Sequence, residues 1–448
     1  MESTISRALE AAKQAGASEC DVLLIEGDDR EVRVRDDQIE FVKQARESRL
    51  GIRTLVEGRD GLQTAVVSTS DLAPAAVDRM AEEAVALARA TAPDPFAGLP
   101  ETGFATEIPD LALFDPEDLN VSLEQRIEDA KRAEAAARAT DKRIDNSEGS
   151  QASSGFTRIA YANHHGFLGE YESASHGLFS EPLARQGDSM QRDYWMTAAR
   201  CLSDLEEPAS VGRTAAKRAL RRLGAKRVPT CEVPVLFDAA TAPSLIGQVA
   251  SCLSGYAIYR ESSFLKERMN DSIASAEVTL IDDGRLIGGL GSKPFDGEGQ
   301  PTRRNVLIRE GKLESWLLDH YSARKLGLTS TGNASRGTGG APHVGTTNLW
   351  LEPGEGTLEE LIAEIDRGLL VTELIGMGFN PTTGDYSRGA AGLWIENGEI
   401  VHPVEEITIA GNLGNMLEDI DRVGSELVWH GRTAAPPLRV AKMTIAGE

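Results

Sequence analysis

"DVLLIEGDDREVRVRDDQIEFVKQ", Asp21 to Gln44, alternates apolar and polar residues along its length. Successive side chains of a strand point to opposite faces, so this period predicts strands with one face buried. "RLGIRTLVEGRDGLQTAVVS", Arg49 to Ser68, follows with a turn at Arg59-Asp60-Gly61. Both stretches read as hairpins of an antiparallel sheet. Upstream, "MESTISRALEAAKQAGASEC" has the pattern of an amphipathic helix. Downstream, "LAPAAVDRMAEEAVALARAT" predicts a helix with Val77, Met80, Ala84 and Leu87 on one face. These pieces make an N-terminal α+β unit over residues 1–92. "APDPFAGLPETG", rich in Pro and Gly, breaks the pattern and reads as a linker.

A second unit is expected over residues 115–225. Ser122, with Gln125 three residues on, has the capping-box pattern and opens an Ala-rich helix through Ala139. Strands follow, with turn residues recurring at roughly 8–12-residue intervals, as in a β-meander. A helix from Val211 to Leu223 closes the unit, with Gly224 as its C-cap. Residues 228–448 form a third, β-rich unit with clustered glycines and short strands. Asn397-Gly398 is a type I′ hairpin signal, and Thr357 with Glu360 is a further capping box. Leu358, Leu361, Ile362 and Ile365 face inward from the helix that box opens. The expected fold class is α+β, with antiparallel sheets and packed helices.

Composition narrows the function. The chain has 448 residues, 41% of them hydrophobic, so a sizeable core is expected. The net charge of −23 repels phosphate backbones, which argues against nucleic acid as a partner. No apolar stretch reaches the roughly 18 residues of a membrane span. The N-terminus lacks the basic and apolar regions of a signal peptide. Cys20, Cys201, Cys231 and Cys252 have no paired spacing, which fits reduced thiols and a cytoplasmic location.

Searches for chemistry return mostly absences. There is no H-E-x-x-H, no zinc-finger spacing and no G-x-S-x-G elbow. His164 and His165 fall in a turn of "YANHHGFLG", where a structural role is favoured over a ligand pair. Cys252 shares a helix face with Leu245, Val249 and Leu253 and reads as a buried core thiol. "GRLIGGLGSKPFDGEGQP" is glycine-dense but has neither phosphate-loop order. Three polar clusters remain. One holds Asp296, Glu298, Arg303 and Arg304, and a second holds Asp319, His320, Tyr321 and Arg324. The third, in "NPTTGDYSRGAAG" from Asn380 to Gly392, holds Asn380, Asp385, Tyr386 and Arg388. Each set could bind a peptide backbone, or could equally be an Asp–Arg network that pins loops at an interface.

At these clusters the chain resembles a known family. "GSKPFDGEGQPTRRNVLIREGKLESWLLDHYSARKLG", "GNASRG", "TNLWLEPGEGTLEELI", "GLLVTELIGMGFNPTTGDYSRGAAGLWIENGEIVHPVEEITIAGNL" and "PPLRVAKMTIAG" span nearly all of Gly291 to Gly447. They are similar to the TldD/PmbA family, also known as modulators of DNA gyrase, and most like its PmbA (TldE) branch. The resemblance implies a metallopeptidase family in which the TldD branch carries H-E-x-x-x-H and a distant cysteine as a zinc site. Here Gly247, Gln248 and Cys252 align with the His, Glu and His of that helix, and no histidine lies between Arg200 and Gln300. The resemblance therefore implies no catalytic or metal residue in this chain and no cofactor of its own. Zinc is expected in a TldD-like partner, which would form a heterodimer with this chain and act on peptides or unfolded proteins. A homodimer is possible when the chain is isolated. In that picture Asp385 and Arg388 brace their loop, while Asn380 and Tyr386 face an enclosed chamber. Two alternatives stay open. One is an autonomous hydrolase using Cys252 or the Asp385/Tyr386/Arg388 group. The other is a non-enzymatic regulator of a partner such as DNA gyrase.

Overall fold

A computed structural model describes residues 1–447 of the chain. The stretch from Asp21 to Ser68 becomes three long strands, β1 (Glu19–Arg35), β2 (Gln38–Gly58) and β3 (Gly61–Thr69). Asp36 and Asp37, both at positive φ, make the tight turn between β1 and β2. The sheet continues through β4 (Ile144–Asn163), β5 (Leu168–Gln186) and β6 (Ser189–Arg192), with β7 (Trp195–Ala199) also on β5. Its order is β3-β2-β1-β4-β5-β6, all antiparallel. Because β1 pairs with β4 from Asp21 to Val34, the first two expected units share one sheet.

The meander runs through β4, β5 and β6, but its first two strands are 20 and 19 residues long. Residues that read as turns lie within them. Gly149, at φ +103, marks a bulge, and a Cβ on Gly155 would stand 2.7 Å from Asp29 Oδ1.

Alternation along β1 explains how the sheet is covered. Val22 and Leu24 pack under α1 (Glu2–Gln14) and α2 (Pro74–Ala88). Val32 and Val34 pack on the same face under α3 (Leu123–Thr140) and α4 (Pro208–Leu220). The face of α2 that meets the sheet is Val77, Met80, Ala81, Ala84 and Ala88, whereas Leu87 is 53% exposed. Ser122 caps α3 by accepting the Gln125 N–H. α4 starts earlier than expected because Glu207 accepts the Ser210 N–H and Pro208 occupies the first turn. The odd residues of β1 face the other way. Leu23 joins Tyr161, Phe167 and Phe295, so this face meets the C-terminal half.

That half contains β8 (Cys231–Phe237), α5 (Ala242–Cys252), α6 (Gly255–Tyr259), β9 (Leu280–Asp283), β10 (Arg304–Arg309), β11 (Lys312–Leu313) and α7 (His320–Leu326). Then come β12 (Ala334–Ser335), β13 (His343–Val344), β14 (Leu349–Leu351), α8 (Leu358–Ala363), β15 (Arg367–Ile375), β16 (Asp385–Glu396) and β17 (Glu399–Asn412). The chain ends with α9 (Leu413–Glu418), β18 (Ile420–Val423), β19 (Thr433–Ala434) and β20 (Leu438–Ala446). One sheet runs β17-β16-β15-β8-β20-β18, and a further β17–β20 pairing closes it on itself. A second sheet runs β11-β10-β9-β14-β19. Among the named strands of the described residues, only β8–β15 and β14–β19 pair in parallel. The Thr357/Glu360 capping box is present, and Asn397 and Gly398 both take positive φ in the β16–β17 turn.

The Pro/Gly-rich stretch at Ala92–Gly103 is held by α7. Tyr321 donates to Asp94 at 2.6 Å, and Arg324 Nη1 donates to the Ala97 carbonyl at 2.7 Å. Lys325 stands over the Phe96 ring at 4.2 Å. This linker is a strap across the two halves. Among the described residues no helix is long and apolar enough to cross a membrane.

Candidate functional site

α5 follows β8 through a tight connection organised by Asp238. Its Oδ1 accepts from the N–H groups of Ala240 and Thr241 and from the Thr241 hydroxyl. The helix then turns Leu245, Ile246, Val249 and Cys252 into the main C-terminal core. Cys252 is fully buried, and burial pushes its thiol up to about 11, so it is an inert core group. Ser244, Gly247, Gln248 and Ser251 form the other face. Gly247 is exposed, and a Cβ there would meet nothing within 4 Å.

This helix does not fit a zinc ion. Gly247 has no donor atom, Gln248 offers only a neutral amide, and Cys252 sits in the core with its proton held on. Zinc binds thiolate, imidazole or carboxylate. No group of three or more His, Cys, Asp or Glu side chains among the described residues is placed to hold a metal. His164 and His165 sit on the β4–β5 turn with ring centroids 4.4 Å apart.

The Asn380–Gly392 stretch departs from its reading as one loop. Only Asn380 to Gly384 is a turn, and Asp385 begins β16. Burial then alternates, with Asp385 and Ser387 exposed and Tyr386, Arg388 and Ala390 buried. Asp385 and Arg388, three apart in a strand, point to opposite faces, so they form no Asp–Arg pair, and of the two it is Asp385 that ties the turn. Asp385 instead accepts from Thr383 Oγ1 at 2.7 Å, and Arg388 donates to Ser244 on α5 at 2.7 Å. Tyr386 is 2% exposed inside the core and does not face a chamber. Asn380 is exposed and caps its own turn by accepting the Thr382 N–H.

The Asp296–Arg304 cluster also separates. Asp296 and Glu298 turn inward, while Arg303 and Arg304 stay exposed, the latter 3.6 Å from Glu352. Asp296 accepts from the N–H groups of Glu298, Gln300 and Ala334 and so shapes its loop. Of the second cluster, Asp319 caps α7, and Tyr321 and Arg324 hold the strap.

Sequence reasoning missed a buried charge network where the large sheet meets the C-terminal half. Arg53 of β2 and Asp21 of β1 are directly opposed, with Nη2 2.5 Å from Oδ2. Arg336 reaches Asp21 at 2.6 Å, and Tyr161 donates to it at 3.1 Å. Glu298 lies 3.4 Å from Arg53 and accepts the His320 N–H at 2.9 Å. Burial alone would raise Asp21, but Arg336 and Arg53 outweigh it and hold the carboxyl below its ordinary range. For Glu298 burial wins over its longer contact with Arg53 and pushes it up to about 8. Beside this network opens a cleft of about 330 Å³, lined by Arg53, Glu298, Tyr256, Tyr259, Tyr321 and His343. In the sequence, the only signal was that Asp21 and Arg53 are charged residues at inward positions of alternating strands.

Glu298 gives a pH prediction. Its folded value is raised above its ordinary 4.5, so the native chain holds a proton that the unfolded chain has released. Its contribution to stability is full below about pH 4.5 and is lost as pH rises to about 8. Glu298→Gln is expected to flatten that decline. Urea midpoints of both proteins at pH 5 and pH 8.5 check it, and parallel pH dependences would contradict it.

Family models match three successive segments of the chain. They describe PmbA/TldA metallopeptidase domain 1 at residues 20–88, the central domain at 116–223 and the C-terminal domain at 230–447. Metalloprotease PmbA of Escherichia coli O157:H7 is 39% identical, over 100% of this chain and 96% of its own. The chain belongs to the PmbA/TldD metallopeptidase family. A PmbA homolog of Haemophilus influenzae is 36% identical over 99% of this chain and 95% of its own. Among solved structures, a Bacteroides thetaiotaomicron protein described as a modulator of DNA gyrase superposes with a TM-score of 0.92. It is 28% identical, covering 100% of this chain and 99% of that one. TldE from Thermococcus kodakarensis gives a TM-score of 0.89 at 25% identity, covering 99% and 100%. The PmbA/TldD membership agrees with the α+β architecture described above.

Proposed function

We propose that this chain is the PmbA/TldE-like subunit of a two-component zinc peptidase that acts on peptides or unfolded proteins. The zinc and the general base reside in a TldD-like partner. The observation that carries this reading is the makeup of α5. Its ligand positions are Gly247, Gln248 and a core-facing Cys252, none of which serves as a zinc ligand here. The C-terminal stretch from Gly411 to Thr433 adds no cysteine. This chain then supplies walls and an interface. The isolated chain self-associates, and the complex is cytoplasmic, in keeping with four free cysteines.

Peptidase assays on the chain alone, on a TldD-like subunit alone and on the mixture test the reading. Cleavage is expected from the mixture and not from this chain. Full activity of this chain by itself would overturn the proposal.

A further inference from the structure

A buried charge is costly unless an opposite charge matches it. At the seam between the large sheet and the C-terminal half the match is incomplete. Asp21, Glu298 and Asp319 are buried acids there, the last of them 4% exposed. Arg53 and Arg336 are the cations, and both turn to Asp21. Arg53 Nε and Nη2 donate to its Oδ2 at 3.0 and 2.5 Å, and Arg336 Nη1 donates to its Oδ1 at 2.6 Å. Glu298 keeps only the 3.4 Å contact with Arg53. Asp319 Oδ1 accepts the Ser322 N–H and hydroxyl, but Oδ2 has no partner among the described residues. Three acids thus meet two guanidiniums. Asp296, on the Glu298 loop, is near Lys293, and burial keeps the adjoining His320 neutral by lowering it to about 4. The cluster is one positive charge short.

The two under-matched acids, Glu298 and Asp319, both line the cleft of about 330 Å³. Its wall is a run of three tyrosines. The Tyr256 and Tyr259 ring centroids are 5.4 Å apart and those of Tyr259 and Tyr321 5.9 Å, each pair edge to face. The faces of such rings attract cations, and they already do so from outside the cleft. Arg260 stands 4.6 Å from the Tyr256 ring and Lys325 5.4 Å from the Tyr321 ring. Lys325 has Asp94 at 4.0 Å, and neither cation lines the cleft. No three His, Cys, Asp or Glu side chains among the described residues are placed to hold a metal. Acids short of positive charge beside aromatic walls suit an organic cation.

We infer that the cleft lined by Tyr256, Tyr259 and Tyr321 binds the ammonium group of a peptide between Glu298 and Asp319. The ammonium donates to the two carboxylates, and its alkyl stem lies along the rings. Without a ligand, the missing charge is made up by a proton on Glu298, held there to about pH 8 by burial and by the nearby Asp296 and Asp319. The ligand's ammonium takes over that role, and the proton leaves to solvent. Its source is a lysine side chain or a free N-terminus. That a peptide carries the ammonium rests on the peptidase reading above, whereas its recognition rests on residues of this chain alone.

The isolated full-length chain is titrated calorimetrically with N-acetyl-Ala-Lys-Ala amide, with its norleucine analogue, and with trialanine amide bearing a free N-terminus. Each titration is run at pH 7 in phosphate and in Tris, whose different ionisation enthalpies reveal protons released on binding. The lysine peptide or the free amine is expected to bind at least ~10-fold more tightly than the norleucine peptide. Whichever binds identifies the source of the ammonium. Binding is expected to release about one proton per ligand. Glu298→Gln, which resembles the protonated acid and keeps the fold, is expected to bind at least ~3-fold more weakly and to release none. Tyr256→Leu, at a ring 48% exposed, is expected to weaken binding at least ~3-fold. Equal affinity for the norleucine peptide, no binding by either amine, or proton release that persists in Glu298→Gln would overturn the site. No partner subunit is present, so cleavage by the mixed subunits without ammonium binding here would overturn this site and leave the two-subunit reading standing.

Discussion

Arg53→Met is expected to cost about 3–5 kcal/mol of folding stability. Arg53 lies between two buried acids, 2.5 Å from Asp21 and 3.4 Å from Glu298. Deleting it leaves Asp21 with Arg336 alone and leaves Glu298 without a cation within ion-pair distance. The stem of Met keeps much of the packing, so the loss comes mainly from Asp21, a buried carboxylate left with one cation where it had two. Asp21 belongs to the large sheet, and Glu298 and Arg336 belong to the C-terminal half, so the change strikes the contact between the halves. Urea unfolding of the variant checks this, and a loss below about 1 kcal/mol would show that the network is not what joins them.

Phe237→Ala is expected to cost about 3–5 kcal/mol through loss of buried surface and the cavity left behind. Phe237 ends β8, is fully buried, and lies between β15 and β20 at Val371 and Leu438. It packs in the same core as Leu245 and Val249 of α5. Its loss therefore removes the floor beneath the helix on which the proposed function rests. Guanidinium denaturation of the full chain measures the change. A cost under about 1 kcal/mol would mean that the core around α5 collapses to fill the space.

Local signals in the sequence were well kept. Ser122, Thr357 with Glu360, and Asn397-Gly398 each act within a few residues, and the structure uses them as caps and a turn. The inward face of α5 followed from helical spacing alone, and Cys252 is the core thiol that spacing predicted. Non-local relations were harder to read. Nothing in the spacing of "SEGSQASSGF" distinguishes a turn glycine from a bulge glycine inside a long strand, because both need the same freedom of φ. The Asp21–Arg53–Glu298 network joins residues up to 277 positions apart, from Asp21 to Glu298, and no local pattern marks that meeting. In the Asn380–Gly392 stretch, the glycines and polar residues looked like one loop. The alternation of Asp385, Tyr386, Ser387 and Arg388 was the signal of a strand, and it sends Asp385 and Arg388 to opposite faces. The resemblance in the C-terminal half reached the right family because it rested on whole motifs in order.

The central claim is that this chain carries no zinc of its own and works through a zinc-bearing partner. Metal analysis of the purified chain, of a TldD-like subunit and of their reconstituted complex tests it most directly, with peptidase activity followed on the same samples. The expected result is zinc in proportion to the TldD-like subunit alone, and activity that tracks that zinc. Stoichiometric zinc in this chain by itself, lost to a chelator together with peptidase activity, would contradict the account.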